Sequence, residues 1–485
     1  MEHIDLSGIH NAAMTKSPIH IKLDPTTASP FHNGKFEGWG TSLCWWANRL
    51  GASEKFTEQA AKAFFSADGL HLDIARYNIG GGDDPGHDHI MRSDSKVPGV
   101  WSSFTPDGSV TFDISKDRNQ LNVAKAALRA NPDLQFEGFS NSPPYFMTVS
   151  GCTGGGAPAD SDNLCPDMYC AFGRYIAGAT KLFREEGIVF RSYSPMNEPD
   201  TDFWRAGSEK QEGCHFSPGE SQSRAIVETR KALDEAGLGD VLVAGMDETD
   251  IDRTAANFAK LSPEAQAALG RIDTHTYQGS DRAEVRETAI RAGKNLWMSE
   301  VDGPWDGLQL AERIIADMNG MQPSAWVTWN IIDFYRDSGF VDPVGNRPEA
   351  GSRLDEAAPL WGFGMADFDS EKLHLANKYY FFGQFTRYIR PGDTVIASSD
   401  SSLAAYNQDS GDVKIVVVNP SGRDRDYIFD MSEFAGLSAR VRVIRTDNLP
   451  GGERWKEIHG AARMEGQRLT FTAKDETVTT CVIGE

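Results

Sequence analysis

The stretch that decides the fold contains two strands and the helix between them: NLWMSEVDGPWDGLQLAERIIADMNGMQPSAWVTWNI, residues 295–331. Residues 295–300 and 325–331 are short apolar runs, which is typical of buried strands. Residues 306–318 between them carry apolar side chains at helical spacing. Strands that are joined by a crossover helix lie parallel in one sheet. The stretch therefore predicts a β–α–β unit.

The same alternation extends back along the chain to residue 37. Eight candidate strands occupy residues 37–41, 70–78, 134–140, 191–197, 241–246, 271–277, 295–300 and 325–331. Helical patterns fall between them, for example at residues 53–66, 121–130, 169–186, 221–236 and 306–318. Gly237 follows one of these helices, where a left-handed C-terminal residue is expected. An open sheet that binds a dinucleotide would show GxGxxG after its first strand, and GWGTSLCWW (residues 38–46) does not match. The pattern predicts an α/β fold, a (β/α)8 TIM barrel.

The helical period disappears after YIRPG at residues 388–392. Short alternating strands replace it at residues 394–397, 413–418, 440–445, 469–472 and 478–482. They predict a smaller antiparallel β domain. Residues 19–23 alternate in the same way, so we expect the N-terminal arm to add a strand to that domain. The predicted division is an arm at 1–33, a barrel at 34–385 and a C-terminal β domain at 386–485.

The charge and composition of the chain limit the classes of partner that it can bind. The formal net charge of −22 argues against nucleic acid, because a phosphate backbone is bound by clustered Lys and Arg. It also disfavours membrane surfaces and anionic polysaccharides, so a neutral partner fits best. The chain contains no run of 18 apolar residues, and residues 1–30 lack the pattern of a signal peptide. Three of the six cysteines lie within residues 152–170, and the sequence leaves undecided whether they form a disulfide or stay free thiols.

Two carboxylates stand where barrel enzymes carry their catalytic groups, at the carboxyl ends of strands. Glu198 ends the fourth candidate strand in SPMNEP (residues 194–199), and Glu300 ends the seventh in LWMSE (residues 296–300). Strands four and seven lie on opposite sides of an eight-stranded barrel, so these side chains can converge across its mouth. Cleavage of a glycosidic bond with retention requires such a pair, about 5–5.5 Å apart.

Other side chains at strand ends could support this pair. Asn197 can hydrogen-bond the sugar hydroxyl next to the reacting carbon. Tyr277 and Arg76 could stabilise an ionised Glu300, although Arg76 could equally form a structural ion pair. We expect Trp329 to offer a flat platform for a sugar ring and Trp326 to pack in the core.

The segment GGGDDPGHDH (residues 80–89) raises an alternative, because two Asp followed by His-x-His could ligate a metal ion. A metal-dependent hydrolase is therefore a second hypothesis. The loop after the second strand of a sugar-cleaving barrel also needs short polar groups, so Asp83 or Asp84 could instead bind sugar hydroxyls. No distant His/Glu pair completes an obvious set of metal ligands, and we expect no metal and no cofactor.

At these residues the chain resembles glycoside hydrolase family 30 over nearly its whole length. The motifs that carry the resemblance are GWGTS (38–42), ARYNIGG (75–81), SNSPPYFM (140–147), MNEP (196–199), WMSE (297–300) and QFTRYIRPG (384–392). The resemblance implies a barrel with a β-sandwich made from both chain termini. It also implies that Glu198 is the acid/base and Glu300 the nucleophile, with Asn197 and Tyr277 as matched neighbours.

Within that family, CWWA (44–47) and NSPPYFM (141–147) followed by SG (150–151) and TG (153–154) most resemble the β-1,6-galactanases. This implies hydrolysis of β-1,6-linked galactan, with Trp45, Asn141 and Tyr145 among the substrate-binding residues. Trp45 replaces an acidic residue of relatives that act on glucosylceramide, which argues against a lipid-linked glucoside. Xylanase, β-glucosidase and β-1,6-glucanase activities remain alternatives, as does a non-catalytic sugar-binding barrel. We expect a monomer, secreted or at the cell surface by resemblance, with a cytoplasmic location left open.

Overall fold

Eight parallel strands close into a barrel. The structure, a computed structural model, describes residues 17–84, 86, 89–91, 95–335, 360–367, 370–449 and 451–484. Barrel strands one to eight are, in chain order, Gly38–Ser42, Ile74–Asn78, Gln135–Phe139, Phe190–Ser194, Leu242–Asp250, Leu269–Gln278, Asn295–Val301 and Ala325–Thr328. Each pairs with the next along the chain, and strand eight pairs with strand one. All eight overlap the predicted strands, so the prediction of a TIM barrel is confirmed.

The helices lie mostly between the barrel strands. They comprise Trp46–Leu50, Glu54–Ala60, Arg118–Ala130, Tyr169–Glu185, Glu220–Glu235, Ile251–Phe258, Pro263–Ala268, Arg282–Ala292, Gly307–Met321 and Asn377–Thr386. A π-helical turn (Ala61–Phe65) follows the second of them, and 3-10 turns form at Pro25–Thr27, His32–Gly34, Ile114–Asp117 and Tyr145–Met147. The helix Gly307–Met321 begins directly after Asp306, its N-cap, which forms a capping box with Gln309. Gly237 has a φ of 73°, the left-handed conformation expected of it.

Charged side chains fill much of the barrel interior. Arg76 contacts Glu137, and Arg271 forms ion pairs with Glu137 and Asp273. All four side chains are almost completely buried, so their opposite charges must compensate one another. Trp326 packs in the core, as predicted, where its ring meets Trp39 and Phe382.

Both termini build a β-sandwich beside the barrel. A six-stranded sheet runs in the order Thr394–Ser399, Ser402–Tyr406, Val413–Asn419, Thr477–Ile483, Val441–Asp447 and Lys456–Glu457. A four-stranded sheet runs in the order Ile19–Lys22, Arg425–Asp430, Arg468–Ala473 and Ala462–Glu465. The N-terminal strand therefore joins the C-terminal domain as predicted, pairing in parallel with Arg425–Asp430. The division into residues 1–33, 34–385 and 386–485 remains our proposal for the domain boundaries.

Two small sheets complete the described structure. Trp101–Phe104 pairs with Val110–Phe112 in the loop after barrel strand two, and Ile332–Tyr335, Gly364–Asp367 and Lys372–Leu375 form a sheet after strand eight. Within residues 152–170, where the sequence allowed either a disulfide or free thiols, Cys152, Cys165 and Cys170 carry free thiols. Among the described helices, none combines the length and the apolar character that crossing a membrane requires.

Candidate active site

Glu198 follows barrel strand four in an unusual backbone conformation. Its φ is 47°, in the left-handed region, which costs a non-glycine residue about 1–3 kcal/mol and is common where a side chain is held for function. Its backbone N–H donates to the Asp247 carbonyl at 2.9 Å, and the Trp204 indole donates to the Glu198 carbonyl at 3.1 Å. These bonds hold the carboxylate at the mouth of the barrel with 9% of the residue exposed.

Glu300 lies within barrel strand seven, where one donor from strand two and one from strand six reach it. Arg76 donates to Glu300 Oε2 at 2.9 Å, and the Tyr277 hydroxyl donates to Oε1 at 3.2 Å. Arg76 also lies 3.3 Å from Asp247. The sequence placed Arg76 and Tyr277 beside Glu300, and the structure brings the three side chains together. Donors on both oxygens favour the ionised carboxylate.

The Glu198 and Glu300 side chains face each other. One carboxylate oxygen of Glu198, one carboxylate oxygen of Glu300 and a ring nitrogen of His275 all lie within 4.8 Å of one another. Two carboxyl groups this close can act on the same anomeric carbon.

His275 is a member of the site that the sequence reasoning did not identify. Its Nδ1 lies 3.2 Å from Glu198 Oε1 and 3.7 Å from Glu300 Oε1, and its Nε2 lies 3.4 Å from Asp247. Although burial opposes a positive charge, these three carboxylates raise the pKa of His275 to about 10. A signal was present, because side chains at alternate positions of a strand share a face and His275 is two residues before Tyr277.

Burial and neighbouring charges shift the pKa values of Glu300 and of the groups around it. Burial raises the pKa of Glu300 to about 7, although His275 and Arg76 lower it. Burial together with the charge of Glu300 raises the pKa of Tyr277 well above 10, so its hydroxyl stays a donor. Despite burial, Arg76 and His275 lower the pKa of Asp247, which therefore remains a fixed negative charge. The site thus sets two buried cations against three carboxylates.

A cavity of about 490 Å³ opens over the two glutamates. Aromatic rings form much of its wall, and the rings of Trp45 and Trp329 meet edge to face with centroids 5.0 Å apart. Asn197 also faces the cavity, and its buried Oδ1 has no hydrogen-bond partner among the described residues. The remaining lining residues are Trp46, Phe203, Trp204, Ser208, Lys210, Gln211, Thr249, Tyr277, Gln278, Asn330 and Trp361.

Five of the residues expected to bind substrate do not line this cavity, and one of them, Arg76, contacts Glu300 instead. The amide of Asn141 is buried and points to the sulfur of Cys44 at 3.7 Å. Tyr145 packs against Trp101 in an aromatic cluster of the neighbouring loops. Asp83 accepts the backbone N–H of His89 at 3.1 Å and also contacts its ring. Asp84 accepts the backbone N–H of Gly86 at 2.8 Å, so both aspartates bond within their own loop.

A resident metal ion does not fit the residues that could hold one. Glu198, His275 and Glu300 offer three ligand atoms in one place. The carboxylates around His275 favour its protonated form, however, so a metal ion would first have to displace that proton. Arg76 already supplies a positive charge to Glu300. In the alternative set at residues 80–89, His87 and Asp88 lie outside the described residues.

Comparisons with known proteins identify the family of the chain. The family model for O-glycosyl hydrolase family 30 matches residues 21–275. An endo-β-1,6-galactanase of Hypocrea rufa is 29% identical over 439 residues, covering 85% of this chain and 83% of the relative. An exo-β-1,6-galactobiohydrolase of Bifidobacterium longum subsp. longum is 24% identical over 540 residues, covering 85% of this chain but only 35% of that longer protein.

Among solved structures, the catalytic domain of the family 30 xylanase C from Talaromyces cellulolyticus superposes with a TM-score of 0.72 at 18% identity. That match covers 96% of this chain and all of the xylanase domain. At such identity the structural likeness establishes the fold. The family assignment follows from the matched model, which spans more than half of the chain. The chain belongs to O-glycosyl hydrolase family 30 and is a glycoside hydrolase.

Proposed function

We propose that this enzyme hydrolyses β-1,6-linked galactan, the sugar of arabinogalactan side chains, with retention of anomeric configuration. One observation carries the proposal of retention: a carboxylate oxygen of Glu198 lies within 4.8 Å of a carboxylate oxygen of Glu300. Double displacement needs a nucleophile and a proton donor about 5–5.5 Å apart, on either side of one anomeric carbon, and the limit of 4.8 Å between their oxygens is compatible with that spacing.

In the first step, an ionised Glu300 oxygen attacks the anomeric carbon while Glu198 gives its proton to the departing glycosidic oxygen. The C–O bond to the leaving sugar breaks as the ester bond to Glu300 forms. Arg76 and Tyr277 hold the attacking carboxylate through their hydrogen bonds of 2.9 and 3.2 Å. Asn197, buried at the cavity wall, is placed to bind a hydroxyl of the reacting sugar.

In the second step, Glu198 acts as a base. It takes a proton from a water molecule, whose oxygen attacks the same carbon, and the ester bond to Glu300 breaks. Glu198 thereby regains its proton and Glu300 its negative charge. Protonated His275 touches both carboxylates, so it stabilises whichever of them carries the charge at each stage. No metal ion takes part in these steps.

The substrate is inferred from the cavity and from the relatives. Flat rings such as Trp45 and Trp329 offer apolar surfaces for a neutral pyranose, and the overall charge of −22 disfavours an anionic glycan. The two curated relatives quoted above are both named for β-1,6-galactan chemistry. A polymer of this kind lies outside cells, so we place the activity there. We also expect a monomer.

Product analysis tests the proposal. Purified enzyme is incubated with β-1,6-galactan, and with xylan, β-1,6-glucan and aryl β-glucoside as rival substrates. We expect galacto-oligosaccharides from the galactan alone, and no product from Glu300→Gln. Preferential cleavage of a rival substrate would refute the substrate class. Sugar binding without turnover by the unmodified protein would indicate a binding module instead.

A further inference from the structure

A buried glutamate outside the catalytic pair joins loops at the mouth of the barrel. Glu212 lies in the loop after barrel strand four, and its Oε1 accepts the backbone N–H of Gly81, in the loop after strand two, at 2.9 Å. The neighbouring Gly213 donates its N–H to the carbonyl of Thr153, in the loop after strand three, at 2.8 Å. A Cβ atom at Gly81 would lie only 2.6 Å from the carbonyl oxygen of Pro143, so these loops pack closely. Glu212 therefore stands where loops from three adjacent strands meet.

The Glu212 carboxyl is buried without a compensating positive charge. The residue is 1% exposed, and its Oε2 has no hydrogen-bond partner among the described residues. Its described surroundings are the backbone N–H groups of Gly81 and Gly82, the amide of Asn78 and the carboxylate of Asp83, and none of these is a cation. Burial, together with the charge of Asp83, raises the pKa of Glu212 well above its usual range. A buried carboxyl in such surroundings keeps its proton.

The groups that face Glu212 from other elements also supply no positive charge. The Tyr175 hydroxyl, from the helix Tyr169–Glu185, lies near both Glu212 and the buried carboxyl of Asp117. The ring of His89 contacts Asp83 at 3.1 Å, so any charge on that ring is opposed by Asp83 first.

Asn78 gives the proton of Glu212 a place to go. Its Oδ1 and Nδ2 are buried beside the carboxyl and have no hydrogen-bond partner within the described part of the chain. A neutral carboxyl carries an O–H donor, whereas an ionised one is an acceptor only. The neutral form can therefore donate to Asn78 Oδ1 while it still accepts the N–H of Gly81.

The segment that Glu212 holds forms part of the catalytic cavity. Ser208, Lys210 and Gln211 line that cavity, and Gln211 directly precedes Glu212. Glu212 itself is not among the lining residues. A change at Glu212 therefore reaches a bound sugar only through the position of this segment.

We propose that Glu212 is a positioning residue: as a neutral carboxylic acid it joins the loop after strand four to the loop after strand two, and so keeps Lys210 and Gln211 in the wall of the catalytic cavity. Once the Glu212–Gly81 contact breaks, the carboxyl meets water and ionises at its usual pKa, whereas the intact contact retains the proton. Breaking therefore becomes easier by up to about tenfold for each pH unit above that usual pKa, until the buried form ionises as well.

Hydrogen–deuterium exchange tests the contact without any substrate. The measured peptides cover residues 79–84 and 207–216, and the rates are corrected for the base catalysis of exchange itself. In the unmodified enzyme, protection should fall with rising pH between about pH 5 and 9, by up to about tenfold per pH unit. Glu212→Gln should stay protected throughout, because the amide has the same shape, carries no charge and still accepts the N–H of Gly81. Glu212→Ala should exchange faster at every pH.

Kinetics on β-1,6-galacto-oligosaccharides test the effect on the cavity, and this arm alone rests on the proposed galactan hydrolysis. The KM of the unmodified enzyme should rise with pH relative to that of Glu212→Gln, while kcat stays alike. Both enzymes share the titration of the catalytic groups, so the ratio of their KM values isolates Glu212. Glu212→Ala should raise KM about tenfold near pH 6, because the buried N–H of Gly81 loses its acceptor.

Glu209→Gln is the matched control, because Glu209 is an exposed carboxylate of the same loop. It should keep the pH dependence of the unmodified enzyme in both experiments.

The inference is overturned if Glu212→Gln loses protection with pH as the unmodified enzyme does, or if it exchanges as fast as Glu212→Ala at every pH. It is also overturned if the KM ratio does not change with pH, since the contact would then not position the cavity wall. If Glu212→Ala does not fold, the comparison with Glu212→Gln still decides. If no β-1,6-galacto-oligosaccharide is hydrolysed, the proposed substrate fails, whereas the exchange experiment still decides the role of the contact.

Discussion

Replacing His275 with asparagine removes a buried cation from between the two glutamates while keeping a donor near the Nδ1 position. The imidazolium lies 3.7 Å from Glu300, and at an effective dielectric constant of about 20 this pair is worth about 4.5 kcal/mol. That energy corresponds to a shift of about three units in the pKa of Glu300. Rearrangement around the substituted residue reduces the shift, so we expect a change in this pKa of about one to three units. The pKa of Glu300, about 7 with His275 present, therefore rises.

The assay is the pH dependence of kcat/KM on a β-galactoside with an activated aryl leaving group. Such a leaving group needs no proton from Glu198, so the acidic limb reports ionisation of the Glu300 nucleophile in the free enzyme. The limb should move to higher pH in His275→Asn, because loss of a nearby cation makes the carboxylate harder to ionise. His459→Gln, at a solvent-exposed position of the sandwich, is the control. A limb that stays in place or moves to lower pH would refute this electrostatic account.

Three further predictions concern other groups. Glu198→Gln should lower kcat about 10²–10⁴-fold on galacto-oligosaccharides but far less on activated aryl galactosides. Added azide should restore turnover of the aryl galactosides and give β-galactosyl azide as the product. Formation of α-galactosyl azide would assign the roles of the two glutamates differently. Lys378→Met should lower the free energy of unfolding by about 3–5 kcal/mol in denaturant titrations and raise KM, because Lys378 binds buried Asp302 at 2.7 Å and the carbonyl of cavity residue Trp361 at 3.0 Å. EDTA should leave kcat/KM unchanged, and a loss that Zn²⁺ or Ca²⁺ reverses would revive the metal hypothesis.

The barrel is readable from sequence because each strand and helix carries its own periodic pattern. The strand predicted at residues 295–300 corresponds to Asn295–Val301 in the structure, and the helix predicted at residues 306–318 corresponds to Gly307–Met321. The sandwich was predicted less completely. Strands such as Ser402–Tyr406 and Arg425–Asp430 were missed, because the first is rich in alanine and the second is bounded by charges, both weak signals for a strand.

The positions of the paired glutamates follow from strand order, but their electrostatic surroundings do not. Asp247 directly follows the predicted end of the fifth strand and His275 is on the same face as Tyr277, so strand alternation could have located both. Whether such groups touch depends on barrel register, and the strand bearing Glu300 carries an irregularity between Met298 and Glu300 that a sequence does not reveal. Asp83 and Asp84 show the converse limit, since polar loop residues can bond within their own loop.

The stereochemistry of the first product tests the central claim most directly. Proton NMR of the newly formed reducing end, recorded within the first minutes of hydrolysis of a β-1,6-galacto-oligosaccharide, should show the β-anomer before mutarotation produces the α-anomer. Initial appearance of the α-anomer would mean inversion by direct attack of water. Glu198 and Glu300 could not then be the proton donor and nucleophile of a double displacement.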